Sequence, residues 1–291
     1  MPNLSDIGSI REILARHQFS FSKSLGQNFL INPSVCPRMA DACARSHTQG
    51  VIEIGPGIGV LTKELAERFE KVVCYELDSR LLPVLEETLG DYGNVSVRNE
   101  DVLKADLSAL CAETFAGMRV SVCANLPYYI TSPILMYLLE NRFPLSCITV
   151  MVQKEAADRI CAEPGSRLAG ALTAAVHYYA VPEKLFQVSR GSFLPAPNVD
   201  STVIRLTVRE RPAVDVQDED GFFRLIAAAF GQRRKTAANS VSAGLGLPKS
   251  EVEQALVGLG FEKTVRAETF TLEDFAALHK ALSPKKGEFD S

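Results

Sequence analysis

The first residues that suggest chemistry form a glycine-rich segment between an apolar run and a helix-like stretch. The segment is Glu53-Ile-Gly55-Pro-Gly57-Ile-Gly59. Glycine lets the backbone turn sharply and lets a ligand approach without a Cβ in the way. The dinucleotide fingerprint G-x-G-x-x-G/A does not fit, because Val60 or Thr62 occupies its last position. The segment therefore predicts a seat for a ligand without phosphates, and a tight strand–helix turn is the alternative.

Acidic residues end the next two apolar runs. Glu76 ends the second run, where a carboxylate can accept hydrogen bonds from both hydroxyls of a ribose, whereas Asp78 beside it suits a helix cap better. Asp101 ends the third run and is placed to accept a hydrogen bond from an adenine amino group, with a helix cap as its alternative role. The carboxyl ends of parallel strands meet at one crevice. With the glycine segment, these carboxylates predict an adenosine ligand without phosphates.

The tetrapeptide Asn125-Leu126-Pro127-Tyr128 ends the fourth run. An adenine amine is a poor nucleophile because its lone pair is delocalised into the ring. The side-chain carbonyl of Asn125 and the backbone carbonyl of Leu126 could accept its two hydrogens and free the lone pair to attack a sulfonium methyl group. Pro127 stiffens the loop, and Tyr128 offers a ring on which an extruded base can stack. This pattern predicts methyl transfer to an adenine amine without a metal ion.

Two further segments are candidate contacts for the target. Phe193 precedes two prolines in the segment Phe193–Asp200 and is predicted to clamp the opposite face of the base; a core position is the alternative. Arg233, Arg234 and Lys235 are consecutive and could form a local RNA-binding face, although the net charge of the chain is −4. An ordinary solvated surface is the alternative for this basic cluster.

Alternating elements must position these residues. Short runs rich in β-branched residues indicate buried strands, and the stretches between them have helical spacing. This alternation predicts a parallel sheet covered on both faces, that is, an α/β, Rossmann-like fold. The predicted strands are Val51–Ile54, Val72–Tyr75, Val95–Arg98, Val120–Ala124, Ile148–Val152, Lys184–Val188 and Ser201–Val208, and the helices among them are Val60–Phe69, Ser79–Leu89 and Ser132–Glu140.

A polar segment containing proline, residues 210–221, is the predicted linker between two domains. Residues 1–209, with the N-terminal loop, form the predicted catalytic domain. After the linker the apolar spacing is helical, which predicts a small all-helical C-terminal domain for RNA binding over residues 222–284. The tail at 285–291 is expected to be disordered.

Composition excludes several classes of protein. The sequence has no apolar run long enough for a membrane span and no apolar run of a secretory signal at its start. The seven cysteines are scattered without a C-x-x-C pair, which favours buried free thiols in a cytoplasmic protein over disulfides or a zinc site. We expect no metal cofactor, and a monomer.

Together these motifs resemble the bacterial small-subunit ribosomal RNA adenine dimethyltransferases, whose relatives include the macrolide-resistance dimethylases and mitochondrial transcription factors. The resemblance runs from about residue 17 to about residue 275. Besides the motifs above, it is carried by Leu25-Gly-Gln-Asn-Phe-Leu30, Tyr75-Glu-Leu-Asp78, Asn125-Leu-Pro-Tyr-Tyr-Ile130, Phe193-Leu-Pro-Ala-Pro-Asn-Val-Asp-Ser201 and Phe230-Gly-Gln-Arg-Arg-Lys-Thr236.

The resemblance implies a class I methyltransferase sheet and S-adenosylmethionine as the methyl donor. It implies that Asn28 and Leu30 close over the cofactor, and that Asn125 stands at the reaction centre. It places Gly55 with Gly57, Glu76 and Asp101 on the methionine, ribose and adenine parts respectively. Glu100 occupies a position that is often glycine in the family, so either Glu100 or Asp101 could face the cofactor. We assign this role to Asp101.

The implied substrate is a pair of adjacent adenines in the 3′-terminal hairpin of 16S RNA, each dimethylated within a nearly mature small subunit or its precursor. A resistance-type dimethylase of large-subunit RNA is the nearest enzyme alternative. A DNA adenine or protein glutamine methyltransferase more often has Pro in place of Leu126. An assembly factor that binds RNA with vestigial chemistry is the alternative from another class.

Overall fold

The computed structural model describes residues 4, 6–22, 26–44 and 49–283. The predicted disordered tail at 285–291 and the first residue of the motif at 25–30 lie outside the described residues.

The strands are β1 (Phe29–Leu30), β2 (Gly50–Ile54), β3 (Lys71–Tyr75), β4 (Val95–Arg98), β5 (Val120–Asn125), β6 (Leu145–Gln153), β7 (Ala180–Val188), β8 (Phe193–Leu194) and β9 (Ser201–Val208). Seven of them form a sheet with the order β4-β3-β2-β5-β6-β9-β7. Strands β4, β3, β2, β5 and β6 are parallel, and β9 runs antiparallel to β6. The short strands β1 and β8 form a separate antiparallel pair. The predicted α/β class with a Rossmann-like sheet is confirmed, and the end of the sheet is antiparallel.

Helices occupy the connections. They are α1 (Ile7–Arg16), α2 (Val35–Ala44), α3 (Val60–Ala66), α4 (Leu82–Leu89), α5 (Leu107–Glu113), α6 (Thr131–Glu140), α7 (Lys154–Ile160), α8 (Ala171–Tyr179), α9 (Glu219–Phe230), α10 (Ala237–Leu245), α11 (Lys249–Gly258) and α12 (Leu272–Leu282). Within the described ranges, none of the helices has the length and apolar character needed to cross a bilayer.

The core explains why the strand runs are so apolar. All five residues of β2 are buried, as expected for a central strand covered on both faces. Val72 and Cys74, two residues apart on β3, share one face and pack in a cluster with Met39 of α2 and Leu65 of α3. Six of the seven cysteine side chains are buried, Cys161 is half-buried, and none of the seven forms a disulfide.

The chain divides into two compact units. The first comprises Met1–Ala157 and Val181–Val208 and contains the sheet, and the second comprises Asp158–Ala180 and Arg209–Ser291 and is helical. This division differs from the predicted boundary at residue 209, because α8 groups with the C-terminal helices. The hydroxyl groups of Tyr178 and Tyr179 donate to the carboxylate of Glu219 at the start of α9, which ties α8 to the second unit.

The start of α9 also differs from the predicted linker. Asp218 accepts a hydrogen bond from the backbone N–H of Gly221 at 2.9 Å and caps the helix. Because the cap is a local side-chain contact, the last residues of the polar segment are helical although they contain no apolar spacing. The helix therefore begins at Glu219, three residues before the predicted start at residue 222.

Candidate active site

The carboxyl ends of β2, β3 and β5, with the turn after β4, border one cleft in the first unit. The volume of the cleft is about 1180 Å³, including the solvent-filled space at its mouth. The structure brings together there the predicted residues Asn28, Leu30, Gly55, Gly57, Glu76, Asp101, Asn125, Leu126 and Tyr128. Phe193 lies elsewhere in this unit, and Arg233, Arg234 and Lys235 belong to the second unit.

The glycine segment turns back after β2 at the base of the cleft. Gly55, Gly57 and Gly59 have φ angles of +71°, +61° and +89°, a region that side chains disfavour. The Gly55 N–H donates to the carbonyl of Tyr75 at 2.9 Å, which fixes the turn against β3. A Cβ on Gly55 would meet no atom within 4 Å, so the space in front of this backbone is open to a ligand.

Glu76 is held rigidly at the end of β3. Its side chain is 6% exposed, and its two oxygens accept the backbone N–H groups of Asp78 at 2.8 Å and Gly57 at 3.3 Å. Burial raises the pKa of this carboxyl group, while the N–H donors act in the opposite direction. Glu76 thus both faces the cleft and fastens the glycine segment to β3.

Asp78 and Asp101 each cap a short helical turn near Glu76 or after β4. Asp78 accepts the N–H of Arg80 at 3.1 Å, and its ion pair with the Arg80 guanidinium, at 2.6 Å, lowers the pKa of Asp78. Asp101 accepts the N–H of Leu103 at 3.1 Å through Oδ1. Unlike Asp78, Asp101 also lines the cleft, so its second oxygen can serve a ligand while the first serves the cap. Glu100 lines the cleft as well but is exposed, whereas Asp101 is half-buried.

Two hydrogen bonds link the N-terminal segment, residues 26–30, to Asp78, just after β3, and to Asn125, at the end of β5. Gln27 donates from Nε2 to Asp78 Oδ2 at 2.8 Å, and its Oε1 accepts the N–H of Ser22 at 2.9 Å. The backbone carbonyl of Asn28 accepts a hydrogen bond from Asn125 Nδ2 at 3.2 Å. Gln27 is not among the predicted site residues, although it stands beside Asn28 in the same motif. Its partner is 51 residues away, so residue type and local spacing gave no signal.

Asn125 is the last residue of β5, Leu126 follows it, and both line the cleft. Because Asn125 uses its Nδ2 on the Asn28 carbonyl, its Oδ1 remains as an acceptor, and no donor within the described part of the chain contacts it. The backbone N–H of Leu126 donates to the carbonyl of Met151 on β6 at 3.2 Å. The Leu126 side chain is buried, so this residue can contribute to the cleft through its backbone. The arrangement presents fixed carbonyl acceptors where an amine could bind.

Tyr128 begins a 3₁₀ turn, Tyr128–Ile130, just after this site. Its hydroxyl lies 2.8 Å from Oγ of Ser201, the fully buried first residue of β9. Burial raises the pKa of Tyr128, so its hydroxyl stays protonated at neutral pH. Ser201 was not among the predicted site residues, because its contact with Tyr128 spans 73 residues.

The Tyr128–Ser201 hydrogen bond is expected to orient the tyrosine ring. We expect Ser201→Ala to lower kcat for the predicted methyl transfer by about 2- to 10-fold, the range for loss of one neutral hydrogen bond. In a double-mutant cycle, adding Ser201→Ala to Tyr128→Phe should cost nothing further, because the bond is already lost.

The matched control for this cycle is Ser121→Ala, since Ser121 is also a fully buried serine of the sheet, 3.2 Å from Cys147 Sγ. The effects of Ser121→Ala and Tyr128→Phe on the activation free energy should be additive. Additive effects of Ser201→Ala and Tyr128→Phe would show that Ser201 does not act through the tyrosine.

The structure places Phe193 differently from the predicted base clamp. Its side chain is 3% exposed, and in β8 it pairs with Leu30 of β1. It packs in the core cluster with Val188 and does not line the cleft. Strand pairing turns the ring inward, so the core alternative describes its position, and Phe193 is not proposed as a contact of the base.

Glu53, the first residue of the glycine segment, is a buried carboxyl group that is not among the predicted site residues. It is 1% exposed, and its Oε2 lies 3.4 Å from Cys74 Sγ. Burial raises the pKa of Glu53 from 4.5 to about 7. The folded protein therefore binds this proton more tightly than the unfolded chain does. The resulting stability is fully present below pH 4.5 and is lost as the pH rises through about 7.

This shift predicts a pH-dependent difference between the wild-type protein and Glu53→Gln, which stays neutral. Between pH 5 and pH 8 the free energy of unfolding of the wild type should fall relative to the variant by about 2–3 kcal/mol. Urea unfolding at both pH values measures the difference. Other titrating groups are shared by the two proteins and cancel. A difference that does not change with pH would refute the raised pKa.

The basic cluster lies in the turn between α9 and α10 of the second unit. The side chains of Arg233, Arg234 and Lys235 are exposed, and none of them forms an ion pair with another described residue. The three cations are therefore available to solvent or to an anionic partner.

Within the described residues, no group of His, Cys, Asp or Glu is arranged to hold a metal ion. The cleft offers a backbone turn open to a ligand, the carboxyl groups of Glu53, Glu76, Glu100 and Asp101, and the side-chain carbonyl of Asn125 as an acceptor. These groups suit a neutral or cationic adenosine ligand next to an amine.

Comparison with known proteins agrees with this chemistry. Residues 18–282 match the family model for ribosomal RNA adenine dimethylase. The chain is 51% identical, over 281 residues, to ribosomal RNA small subunit methyltransferase A of Geobacillus thermodenitrificans (strain NG80-2), covering 95% of this chain and 96% of that protein. It is 48% identical over 286 residues to the protein of the same name from Bacillus cereus (strain AH187), covering 97% and 98% respectively.

Two solved structures are also similar. A dimethyladenosine transferase from Plasmodium falciparum has a TM-score of 0.71 and 27% identity, covering 86% of this chain and 95% of that one. The 23S rRNA methyltransferase ErmE has a TM-score of 0.67 and 28% identity, covering 88% and 99% respectively.

Proposed function

The chain belongs to the ribosomal RNA adenine dimethylase family, and from that premise we propose its methyl donor and its target. It is a methyltransferase that dimethylates adenine in ribosomal RNA. The donor is S-adenosylmethionine, and the target is the N6 amines of two adjacent adenines in the 3′-terminal hairpin of 16S RNA. The reaction takes place in the cytoplasm, on the small subunit or its precursor late in assembly. The enzyme acts as a monomer.

The position of Asn125 carries this proposal. Its amide nitrogen donates a hydrogen bond to the Asn28 carbonyl, and its Oδ1 accepts a hydrogen bond from the target amine. The backbone carbonyl of Leu126 accepts the second hydrogen. Holding both hydrogens draws the amine towards tetrahedral geometry and localises its lone pair. Because the acceptors are fixed before the substrate binds, little reorganisation is needed during the reaction.

The residues of the cleft fit S-adenosylmethionine. The open space before Gly55 admits the methionine part without contact with a Cβ. The carboxylate of Glu76 accepts the ribose hydroxyls, and Asp101 accepts the adenine amine through the oxygen that does not cap Leu103. Asn28 and Leu30 cover the site from the N-terminal segment. When bound, the cofactor supplies a methyl group on sulfonium that is already activated for transfer.

Tyr128 receives the target base. An adenine must leave its stack to reach Asn125, which costs a few kcal/mol, and stacking on an aromatic ring returns about 1–3 kcal/mol. The hydrogen bond to Ser201 holds the Tyr128 ring in place beside the carbonyl acceptors.

Methyl transfer to isolated ribosomal subunits tests the proposed function. Labelled S-adenosylmethionine should methylate small subunits from cells that lack the modification, two methyl groups on each of two adenines. Small subunits that already carry the modification should not react. Transfer to large subunits would favour the resistance-type alternative, which the likeness to ErmE motivates. Binding to small subunits without any transfer would favour an assembly factor with vestigial chemistry.

The basic cluster is proposed to hold phosphates of the RNA. Each neutralised phosphate contributes about 0.7–0.9 to the slope of log affinity against log salt concentration. Replacing Arg233, Arg234 and Lys235 with glutamine should therefore flatten this slope by roughly 2–3 units. Phosphate contacts carry no sequence information, so the variant should still prefer its cognate adenines.

The exposure of the cluster provides the control for this experiment. A solvated cluster contributes little to folding, so the melting temperature and cofactor affinity should not change. A variant that melts early but keeps the wild-type salt slope would assign the cluster to the scaffold of the helical unit.

A further inference from the structure

An exposed aromatic ring stands beside the target-base site. Tyr129 is 59% exposed, although it lines the same cleft as Tyr128. No described residue forms a hydrogen bond with its hydroxyl. The proposed methyl transfer uses Tyr128 but not Tyr129, and the family resemblance implies no role for Tyr129.

The local backbone sends the two tyrosine rings in different directions. In the 3₁₀ turn Tyr128–Ile130, successive side chains are about 120° apart. Tyr128 is half-buried with its hydroxyl fixed on Ser201, whereas Tyr129 points outward at the mouth of the cleft. Consecutive Cα atoms are about 3.8 Å apart, so the two rings are attached to neighbouring points of one rigid turn.

The Tyr129 ring is supported from one side. A Cβ on Gly26 would lie 3.4 Å from both Cδ1 and Cε1 of Tyr129 and 3.5 Å from Cβ of Pro127. The backbone of Gly26 thus passes close to the ring. Gly26 has a φ of +60°, a conformation that suits glycine. The ring is thus backed by the N-terminal segment, and its large exposed fraction leaves the remaining surface to a ligand.

We propose that Tyr129 is a second stacking site, which holds the base next to the target adenine. The proposal rests on the proposed function. When one adenine enters the cleft on Tyr128, the neighbouring nucleotide is joined to it by a single phosphodiester and must leave past the mouth. Tyr129 is the aromatic ring at that point. A ring without a fixed hydroxyl partner is suited to stacking, which every base permits.

This site has a consequence for the proposed pair of adenines. While the first adenine is methylated, the second rests on Tyr129 one nucleotide from the acceptors. Shifting the strand by one position brings it onto Tyr128 without release of the RNA. Tyr129 therefore favours methylation of both adenines in one encounter.

Fluorescence of 2-aminopurine in a hairpin RNA tests the second stacking site, because stacking quenches this adenine analogue. With the analogue next to the target adenine, binding of the wild-type protein should quench its emission. Tyr129→Ala should abolish this quenching at saturating protein, and Tyr129→Phe should retain it. RNA affinity should fall by about 5- to 150-fold in the alanine variant, the effect of losing one stacked base.

Two controls separate this site from other effects. With the analogue at the target position, Tyr129→Ala should leave the emission of the bound complex unchanged, since Tyr128 is intact. Val181→Ala removes a side chain of similar exposure, 48%, outside the cleft and should match the wild type in both assays.

The outcomes are distinct. Unchanged quenching and affinity in Tyr129→Ala, or equal changes at both analogue positions, would overturn the second stacking site. Labelled methyl transfer by the wild type to unmodified small subunits reports on the proposed function separately. Transfer with no quenching beside the target would therefore sink the stacking site alone.

Discussion

Replacing Asn125 with alanine is expected to lower kcat for methyl transfer by about 100- to 1000-fold, the range for loss of one preorganised polar group at a reaction centre. In the proposed mechanism the side chain acts on the target amine, so the affinity for S-adenosylmethionine should stay within a few-fold of the wild type. Single-turnover transfer at saturating RNA measures the rate, and calorimetry measures cofactor binding. Because transition-state contacts are lost, added RNA should not restore the rate.

Asn125→Asp separates the two contacts of this side chain. It keeps an acceptor oxygen but cannot donate a hydrogen bond to the Asn28 carbonyl as the amide does at 3.2 Å. We expect its rate to fall between those of the wild type and the alanine variant. Equal rates for the Asp and Ala variants would mean that the clamp on the N-terminal segment matters more than the acceptor. Substantial turnover by Asn125→Ala would contradict the proposed role altogether.

Glu76→Ala should weaken cofactor binding by at least about 100-fold. Hydrogen bonds to a charged group are worth about 1.5–3 kcal/mol each, and a pair to the ribose would be lost. The variant also leaves the N–H groups of Gly57 and Asp78 without their acceptor, which loosens the glycine segment. Calorimetry with S-adenosylhomocysteine gives the dissociation constant without turnover.

Glu76→Gln is the matched variant for this experiment. It retains an oxygen for one of the two N–H donors but has no charge, so its affinity should lie between those of the wild type and the alanine variant. Circular dichroism of each variant checks that the sheet is folded. Unchanged affinity in a folded Glu76→Ala protein would remove Glu76 from the site. Micromolar affinity for NAD would likewise contradict the interpretation of the glycine segment.

The sequence alone determined the parts of the site that depend on local backbone and on strand direction. β-Branched runs fixed the central strands, and in a parallel sheet their carboxyl ends must share one edge. Gly55, Glu76, Asp101 and Asn125 each end such a strand or follow it, so their convergence followed from spacing. The positive φ values of the glycines could be expected for the same reason, since the chain must turn sharply there.

The local signals were weaker where side chains have two compatible roles. The sequence predicts that Asp101 binds a ligand, with a helix cap as the alternative, and in the structure Asp101 caps the turn at residues 102–104 and also lines the cleft. Sequence spacing cannot distinguish these roles, because a carboxylate has two oxygens and both roles require the same position.

Only the tertiary structure decided the contacts between distant segments. Gln27 meets Asp78 across 51 residues, and Tyr128 meets Ser201 across 73. The pairing of β1 with β8 turns Phe193 into the core, although its neighbours Pro195 and Pro197 mark a loop by composition. No periodicity encodes such contacts, since they depend on which loops the fold brings side by side.

The same reason explains the domain boundary and the state of Glu53. Helix α8 groups with the C-terminal helices through Tyr178, Tyr179 and Glu219, a choice made by side chains far apart in sequence. Glu53 belongs to a motif that is recognised by its glycines, but its raised pKa comes from the nearly complete burial of its side chain. Residue types name the groups that can do chemistry, and packing sets their solvent exposure, orientation and partners.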